Sequence, residues 1–166
     1  MARFAPLVLG VLAVLGLCLP VMAGSASLVW NVTPSAPQGL YRIDRGPWRI
    51  GDRVAVSPAE ALATDLAKRG ILPKGKLLIK RVVAAHGDLV CREGDTISIN
   101  GRMVGKAKRM DSQGAPLPSW HGCATLEEGQ VFLLGDTAGS YDGRYFGVTT
   151  KVEIVGKAEL LLHVSL

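Results

Sequence analysis

Lys80 lies within an apolar run, in the stretch LLIKRVVAAHGD. If this stretch is a β-strand, Lys80 shares one face with Leu78 and Val82, and the other face carries Ile79 and Arg81. Both faces are otherwise apolar, so one of the two cationic side chains must point into a largely buried place. Burial lowers the pKa of a lysine, whereas an arginine does not lose its proton, so Lys80 is a candidate general base. The plainer alternative is an edge-strand lysine whose ammonium reaches water.

A second candidate is Ser35, which lies between Pro34 and Pro37 in the stretch NVTPSAPQGLYR. A nucleophile requires a hydroxyl held on a stiff turn, with backbone N–H groups free to face an oxyanion. A proline-bounded turn meets both conditions. The same residues also fit a structural turn with a solvent-facing serine, so this stretch alone leaves both interpretations open.

The third stretch is LLGDTAGSYDGRYFGV, in which Asp136, Ser140, Asp142 and Arg144 occur within nine positions. Asp142 and Arg144 can form an ion pair that shapes the loop, and Ser140 can form a hydrogen bond with an amine. A glycine-rich loop with a purely structural role is the alternative.

The elements that would position these residues are mostly strands, separated by turns of the Gly-Asp type. The pair Asn100-Gly101 between two alternating segments favours a tight β-hairpin. One short helix is expected, with Ser57 as its cap, Pro58 in its first turn and Gly70 at its end. We therefore predict one all-β, barrel-like domain. The predicted strands cover residues 27–32, 39–43, 53–56, 76–84, 89–92, 96–99, 102–104, 130–134 and 152–162, and residues 106–121 are expected to form a long loop.

The amino terminus has no charged residue between Arg3 and Arg42, and residues 4–23 are almost wholly apolar. An apolar helix of this length crosses a hydrocarbon layer of roughly 30 Å. A secretory signal peptide has the same composition, so both a retained anchor and a cleaved signal remain open. Either one places the rest of the chain outside the cytoplasm. We therefore divide the chain into a targeting segment, residues 1–25, and an exported domain, residues 26–166.

The net charge of +5 is spread along the chain without a block of lysine and arginine residues, so nucleic-acid binding is not expected. It weakly favours an anionic membrane surface. Cys91 and Cys123 would both lie in an oxidising compartment, where they can form one disulfide. No spacing of cysteine and histidine residues indicates a metal site, and no cofactor is expected.

Taken together, the three stretches resemble the signal peptidase I family of membrane-bound serine endopeptidases, which use a Ser-Lys dyad. The family's K-R-V-V box with a following G-D corresponds to residues 80–88. Its G-D-N…S-x-D-S-R-Y-W-G box corresponds to residues 135–147, with Thr137 in place of the asparagine and Gly143 in place of the second serine. The serine box has no methionine after the serine and ends in G-L-Y-R. In this respect it resembles the conjugative-transfer branch, the TraF-type peptidases.

The resemblance implies a signal-peptidase-like β-barrel or folded sheet and a role for each matched residue. Ser35 would attack the scissile carbonyl, and neutral Lys80 would accept its proton. The backbone N–H of Ser35 and the hydroxyl of Thr33 would stabilise the oxyanion. The remaining matched residues would support this dyad: Ser140 by orienting the Lys80 amine, and Asp142, paired with Arg144, by holding the loop in place.

The resemblance also implies a substrate and a location. TraF-type peptidases mature the pilin of conjugative plasmids, and some of them join the new ends of the pilin into a circle. The expected partners are an exported pilin or preprotein, the membrane surface and other proteins of the conjugation apparatus, and the expected location is periplasmic, at the outer face of the bacterial inner membrane. A general signal peptidase and a non-catalytic β scaffold are the alternatives.

Overall fold

The computed structural model describes residues 27–164, so the predicted targeting segment lies outside the described residues. Within residues 27–164, no helix is both long enough and apolar enough to cross a membrane. The strands are β1 Ser27–Asn31, β2 Gly39–Asp44, β3 Arg53–Val56, β4 Leu78–Ala84, β5 Leu89–Glu93, β6 Thr96–Ile99, β7 Arg102–Lys106, β8 Gly122–Thr125, β9 Gln130–Leu134, β10 Thr149–Thr150 and β11 Ile154–His163. The helices are α1 Glu60–Lys68, α2 Gly143–Phe146 and a 3₁₀ turn at Lys151–Glu153.

The strands form two antiparallel sheets, which confirms the prediction of a mainly β fold. The larger sheet has the order β1-β2-β11-β3-β4-β9-β10, and the smaller one has the order β7-β6-β5-β8. Within the described chain, β1 pairs only with β2 and β10 only with β9. The larger sheet is therefore open, and the predicted barrel is not closed.

The centre of the larger sheet is buried on both faces, which explains the continuous apolar run in β4. On one face, Leu78 and Val82 pack with Leu66 of α1. On the opposite face, Ile79 packs with Tyr41 of β2. A polar side chain on β4 must therefore find its partners inside the protein.

Two local predictions have different outcomes. The hairpin at Asn100-Gly101 is confirmed, because both residues have positive φ, 50° and 79°, as a tight turn between β6 and β7 requires. The predicted helix cap is wrong: α1 begins at Glu60, and no side chain caps it at Ala59. The carboxylate of Glu153 accepts a hydrogen bond from the backbone N–H of Ala59 at 3.0 Å. Glu153, which is distant in sequence, thus accepts a hydrogen bond at the start of the helix, where Ser57 was expected to do so.

The predicted pairing of Cys91 and Cys123 is present as a disulfide, which joins directly facing positions of β5 and β8. Strand β8 was not predicted, because all four of its residues are exposed and show no apolar alternation. The disulfide and the ladder with β5 hold this strand in the smaller sheet. Together they close the segment that contains β6, β7 and the long loop.

Reduction of this disulfide is expected to lower the free energy of unfolding by about 3–4 kcal/mol, because the crosslink restricts a long loop of the unfolded chain. The two cysteines are 32 positions apart. Urea unfolding with and without dithiothreitol measures the difference. A Cys91→Ala/Cys123→Ala variant is the control, since its stability should not respond to the reductant. Equal stability of oxidised and reduced wild type would contradict the prediction.

Candidate active site

Lys80 lies on the buried face of β4, where its side chain is 2% exposed. Its Nζ donates a hydrogen bond to Ser140 Oγ at 2.7 Å. Burial lowers the pKa of Lys80 to about 8, and the negative charge of Asp142 opposes this shift only in part. The neighbouring Arg81 points to the other face and donates a hydrogen bond to the carbonyl of Gly51 at 2.7 Å. The structure thus decides between the two cations: Lys80 is the buried one.

The loop that carries Ser140 is shaped by a buried ion pair between Asp142 and Arg144, which are 0% and 4% exposed. The guanidinium donates to both carboxylate oxygens, from Nε at 2.8 Å and from Nη2 at 2.7 Å. Arg144 also donates to the carbonyls of Thr137 and Ala138 at 2.8 and 3.1 Å. A charged group with this many partners is fixed in place, and with it the backbone on both sides of Ser140.

Ser35 lies half-buried on the turn after β1, and its Oγ is 3.0 Å from Oγ1 of Thr33. Two contacts from outside hold the turn. The backbone N–H of Asp136 donates to the carbonyl of Ser35 at 2.7 Å, and the hydroxyl of Tyr41 donates to the carbonyl of Pro37 at 2.8 Å. Within residues 27–164, the backbone N–H of Ser35 makes no hydrogen bond. This N–H is a donor of the kind that an oxyanion requires, whereas the Thr33 hydroxyl donates to Oδ1 of Asn31 at 2.9 Å.

The two halves of the site meet at Gly135. A Cβ atom on Gly135 would lie 2.0 Å from Ser140 Oγ and 3.1 Å from the carbonyl oxygen of Ser35. Only glycine therefore fits between the serine turn and the partner of Lys80. The structure brings Ser35 together with Thr33, and Lys80 together with Ser140. Among the described residues, it forms no direct hydrogen bond between Ser35 and Lys80.

Asp136 anchors the serine turn to the sheet. Its carboxylate accepts hydrogen bonds from Arg53 at 2.7 and 2.9 Å and from Arg81 at 3.0 Å. The two arginines face each other across the β3–β4 ladder. Because the N–H of the same Asp136 binds the carbonyl of Ser35, this charge cluster fixes the position of the turn relative to β4.

An open cleft of about 310 Å³ lies beside Ser35. It is bounded by both neighbours of the serine, by the start of the Ser140 loop and by the end of β11. Neither Ser35 nor Lys80 lines this cleft itself. The lining residues are Pro34, Ala36, Pro37, Gln38, Asp136, Thr137 and His163.

Several residues of the site were not predicted. Asn31, at the end of β1, forms hydrogen bonds with the serine turn, and an asparagine before a proline-rich turn is a local signal of such contacts. Tyr141 donates to Asp65 of α1 at 2.6 Å and so ties the Ser140 loop to that helix. The contacts of Arg53 with Asp136 span 83 positions, and no local pattern indicates them.

The arrangement provides a hydroxyl on a fixed turn, the backbone N–H of Ser35 beside it and a buried amine that can be neutral near pH 8. A hydroxyl and an amine of this kind are the groups that nucleophilic attack with proton transfer requires. Within residues 27–164, no group of three or more metal-ligating side chains lies close enough together to hold an ion.

Comparisons with known proteins show which proteins this chain resembles. The profile described as signal peptidase, peptidase S26, matches residues 1–163. A probable conjugal transfer protein TraF of Sinorhizobium fredii is 35% identical over 168 aligned positions, which cover 89% of this chain and 88% of the relative. A plasmid transfer protein TraF of Escherichia coli is 34% identical over 135 positions, 75% of this chain and 76% of the relative. The signal peptidase I V of Bacillus subtilis is 30% identical over 95 positions, 51% of this chain and 56% of the relative.

Among solved structures, a signal peptidase I from Enterococcus faecalis V583 aligns with a TM-score of 0.41 and 23% identity, covering 69% of this chain and 98% of that chain. The sequence matches carry the assignment. The profile spans nearly the whole chain, and both TraF relatives exceed 30% identity over three quarters of it or more. The chain therefore belongs to the peptidase S26 signal peptidase family.

Proposed function

We propose that this chain is a membrane-associated serine endopeptidase in which Ser35 is the nucleophile and Lys80 the general base. The observation that carries the proposal is the environment of Lys80. The amine is almost fully buried, its pKa is lowered to about 8, and Ser140 holds it in a fixed direction. At pH 7 about a tenth of such amines are neutral and can accept a proton, against fewer than one in a thousand for a lysine with its ordinary pKa.

In the proposed mechanism, Ser35 Oγ attacks the scissile carbonyl and its proton passes to Lys80 Nζ. The Ser35 hydroxyl must first turn from Thr33 toward the amine. The backbone N–H of Ser35 and the Thr33 hydroxyl stabilise the oxyanion that forms. Protonated Lys80 then gives its proton to the leaving amine, and an ester on Ser35 remains. If water attacks this ester, a trimmed substrate is released. If the amino terminus of the bound substrate attacks it instead, a peptide bond forms and a circular product is released.

We further propose a conjugative pilin precursor as the substrate. This part rests on similarity, since the relatives that cover most of the chain are named conjugal or plasmid transfer proteins TraF. The Bacillus signal peptidase covers only half of it. The open cleft beside Ser35 supports an extended peptide segment as ligand.

The test is the intact mass of a conjugative pilin precursor, co-expressed with the full chain or with its Ser35→Ala variant. A trimmed pilin with wild type alone supports the peptidase, and the further loss of one water supports ring closure. A secretory preprotein is co-expressed in parallel. Trimming of that preprotein, and not of the pilin, would point to a general signal peptidase. Identical masses with both chains, when both are folded, would contradict catalysis and favour the non-catalytic scaffold.

We also propose that the domain works at the outer face of the inner membrane. Support comes from an apolar edge, defined as Leu28, Trp30, Val32 and Leu162, whose members are 51–62% exposed. The first three follow directly on the targeting segment. Leu40 of β2 pairs with Trp30 of β1 and with Leu162 of β11. The side chains of these three residues therefore lie on the same face of the sheet. An exposed patch of this kind fits a lipid surface better than water.

Trp30 is therefore expected to contact lipid, and lipids brominated in their acyl chains should quench its fluorescence strongly. The measurement uses the full chain in vesicles. The Trp30→Phe variant, which retains Trp48 and Trp120, is the control and should be quenched much less. Equal quenching of the two chains would contradict a lipid contact at the apolar edge.

A further inference from the structure

Asn31 forms hydrogen bonds with several residues of the serine turn. It is the last residue of β1 and is 8% exposed. Its Nδ2 lies within hydrogen-bond distance of three carbonyl oxygens, those of Thr33, Ala36 and Pro37, at 3.0, 3.1 and 3.1 Å. Its Oδ1 accepts from the N–H of Thr33 at 3.2 Å and from the Thr33 hydroxyl at 2.9 Å. One side chain thus spans the turn on both sides of Ser35.

The neighbours fix which end of the amide is which. Carbonyl oxygens only accept hydrogen bonds, so the end that faces three of them must be the NH₂ group. A backbone N–H only donates, so the end that faces Thr33 N must be the oxygen. The orientation of Asn31 therefore follows from its partners, and its Oδ1 is an acceptor for the Thr33 hydroxyl.

This acceptor decides where two protons lie. The Thr33 hydroxyl has a single proton, and the bond to Asn31 Oδ1 uses it. The 3.0 Å contact between Thr33 and Ser35 must then be donated by Ser35. In the resting site, the proton of the nucleophile points to Thr33, and the proton of Thr33 points away from the reacting centre.

We propose that Asn31 is a positioning residue that holds the Thr33 hydroxyl in register with Ser35 until substrate arrives. The inference rests on the proposed function. When negative charge develops on the carbonyl oxygen, the Thr33 proton turns from Asn31 to that oxygen, and the Ser35 proton passes to Lys80. Asn31 touches neither substrate nor nucleophile in this sequence of events, and it acts through Thr33 and the turn.

A double-mutant cycle tests this inference, with the rate of pilin trimming at saturating precursor as the readout. Thr33→Val is expected to lower the rate about 10²–10³-fold, as the loss of an oxyanion donor does. Asn31→Ala is expected to lower it about 10–100-fold with an unchanged KM. Because Asn31 acts largely through Thr33, the double variant should lose far less than the product of the two single losses. A purely structural contribution would multiply instead.

The other asparagine of the chain provides the matched control. Asn100 accepts from Leu89 N at 2.8 Å and donates to Asp88 at 2.8 Å, in the smaller sheet. Asn100→Ala should lower the melting temperature and leave the trimming rate unchanged. If Asn31→Ala does not fold, Asn31→Leu fills a similar volume without polar atoms and carries the same expectation.

The outcomes separate the inference from the proposed function. Failure of wild type to trim the pilin, with Ser35→Ala giving the same mass, would overturn both. Trimming by wild type and equally by the Asn31 variant would overturn the inference alone. So would losses that multiply in the double variant.

Discussion

A Lys80→Met variant is expected to lose pilin trimming and, at the same time, to unfold at a higher denaturant concentration than wild type at pH 7. Removal of one member of a catalytic pair lowers the rate by about 10⁴–10⁶-fold. The gain in stability follows from burial. The pKa of Lys80 is about 8 in the folded chain, against an ordinary value of 10.5. Holding the ammonium in this place at pH 7 therefore costs about 3 kcal/mol, which an apolar side chain of similar length avoids.

The same shift sets the direction of the pH dependence. Between pH 8 and 10.5, the unfolded chain binds the Lys80 proton more tightly than the folded chain does, so the stability of wild type rises with pH across this window. Below pH 8 both states carry the proton, and the full cost is present. Trimming should rise with pH through about 8, as the neutral amine becomes the major form.

Urea unfolding of both chains at pH 7 and pH 10 measures the predicted difference in stability. The trimming rate of wild type across the same pH range tests Lys80 as the general base. Lys76→Met is the matched control, because Lys76 lies exposed just before β4. It should change neither property. Lower stability of Lys80→Met at pH 7 would contradict the burial cost, and trimming near the wild-type rate would remove Lys80 from the mechanism.

An Asp142→Ala variant is expected to lose about 3–5 kcal/mol of stability, because it leaves the guanidinium of Arg144 buried without its counter-charge. The carboxylate also accepts from the N–H of Gly135 at 2.7 Å, and this partner is lost as well. Trimming should fall too, since the Ser140 loop no longer holds Lys80 in one direction. Chemical unfolding and the trimming rate measure the two effects.

The double variant Asp142→Ala/Arg144→Met is the control that separates charge from packing. Removing the second charge takes away the unpaired ion, so the double variant should be more stable than Asp142→Ala alone. Trimming should stay low in both, because neither chain has the ion pair that shapes the loop. A double variant less stable than Asp142→Ala would show that the buried charge is not the main cost.

Part of this structure could be predicted from local patterns. The alternation around Lys80 required one cation to be buried, and Asn100-Gly101 required a tight turn; both are properties of a few neighbouring residues. The disulfide could be expected because both cysteines fall in the part of the chain that was predicted to be exported. The three sequence boxes located the candidate site residues, and the profile match supports the family that they indicate.

The rest depends on contacts between residues distant in sequence. The start of α1 is set by Glu153, which lies 94 positions after Ala59. Strand β8 has no apolar face and is held by its partner β5. The anchoring of Asp136 needs Arg53 and Arg81 side by side, which only the β3–β4 ladder provides. Whether the larger sheet closes into a barrel depends on whether its edge strands β1 and β10 pair with each other. The sequence of a single strand does not contain this information.

The lack of space for a side chain at Gly135 suggests a way to make an inactive variant that still binds the uncut precursor. The φ angle of Gly135 is not in the left-handed region, so the backbone accepts alanine, and only space forbids it. An alanine there pushes Ser140 away while both reacting side chains stay in the chain. Such a protein would have an intact hydroxyl and an intact amine that no longer work together. This inactive variant would be suited to determining the structure of the complex with the uncut precursor.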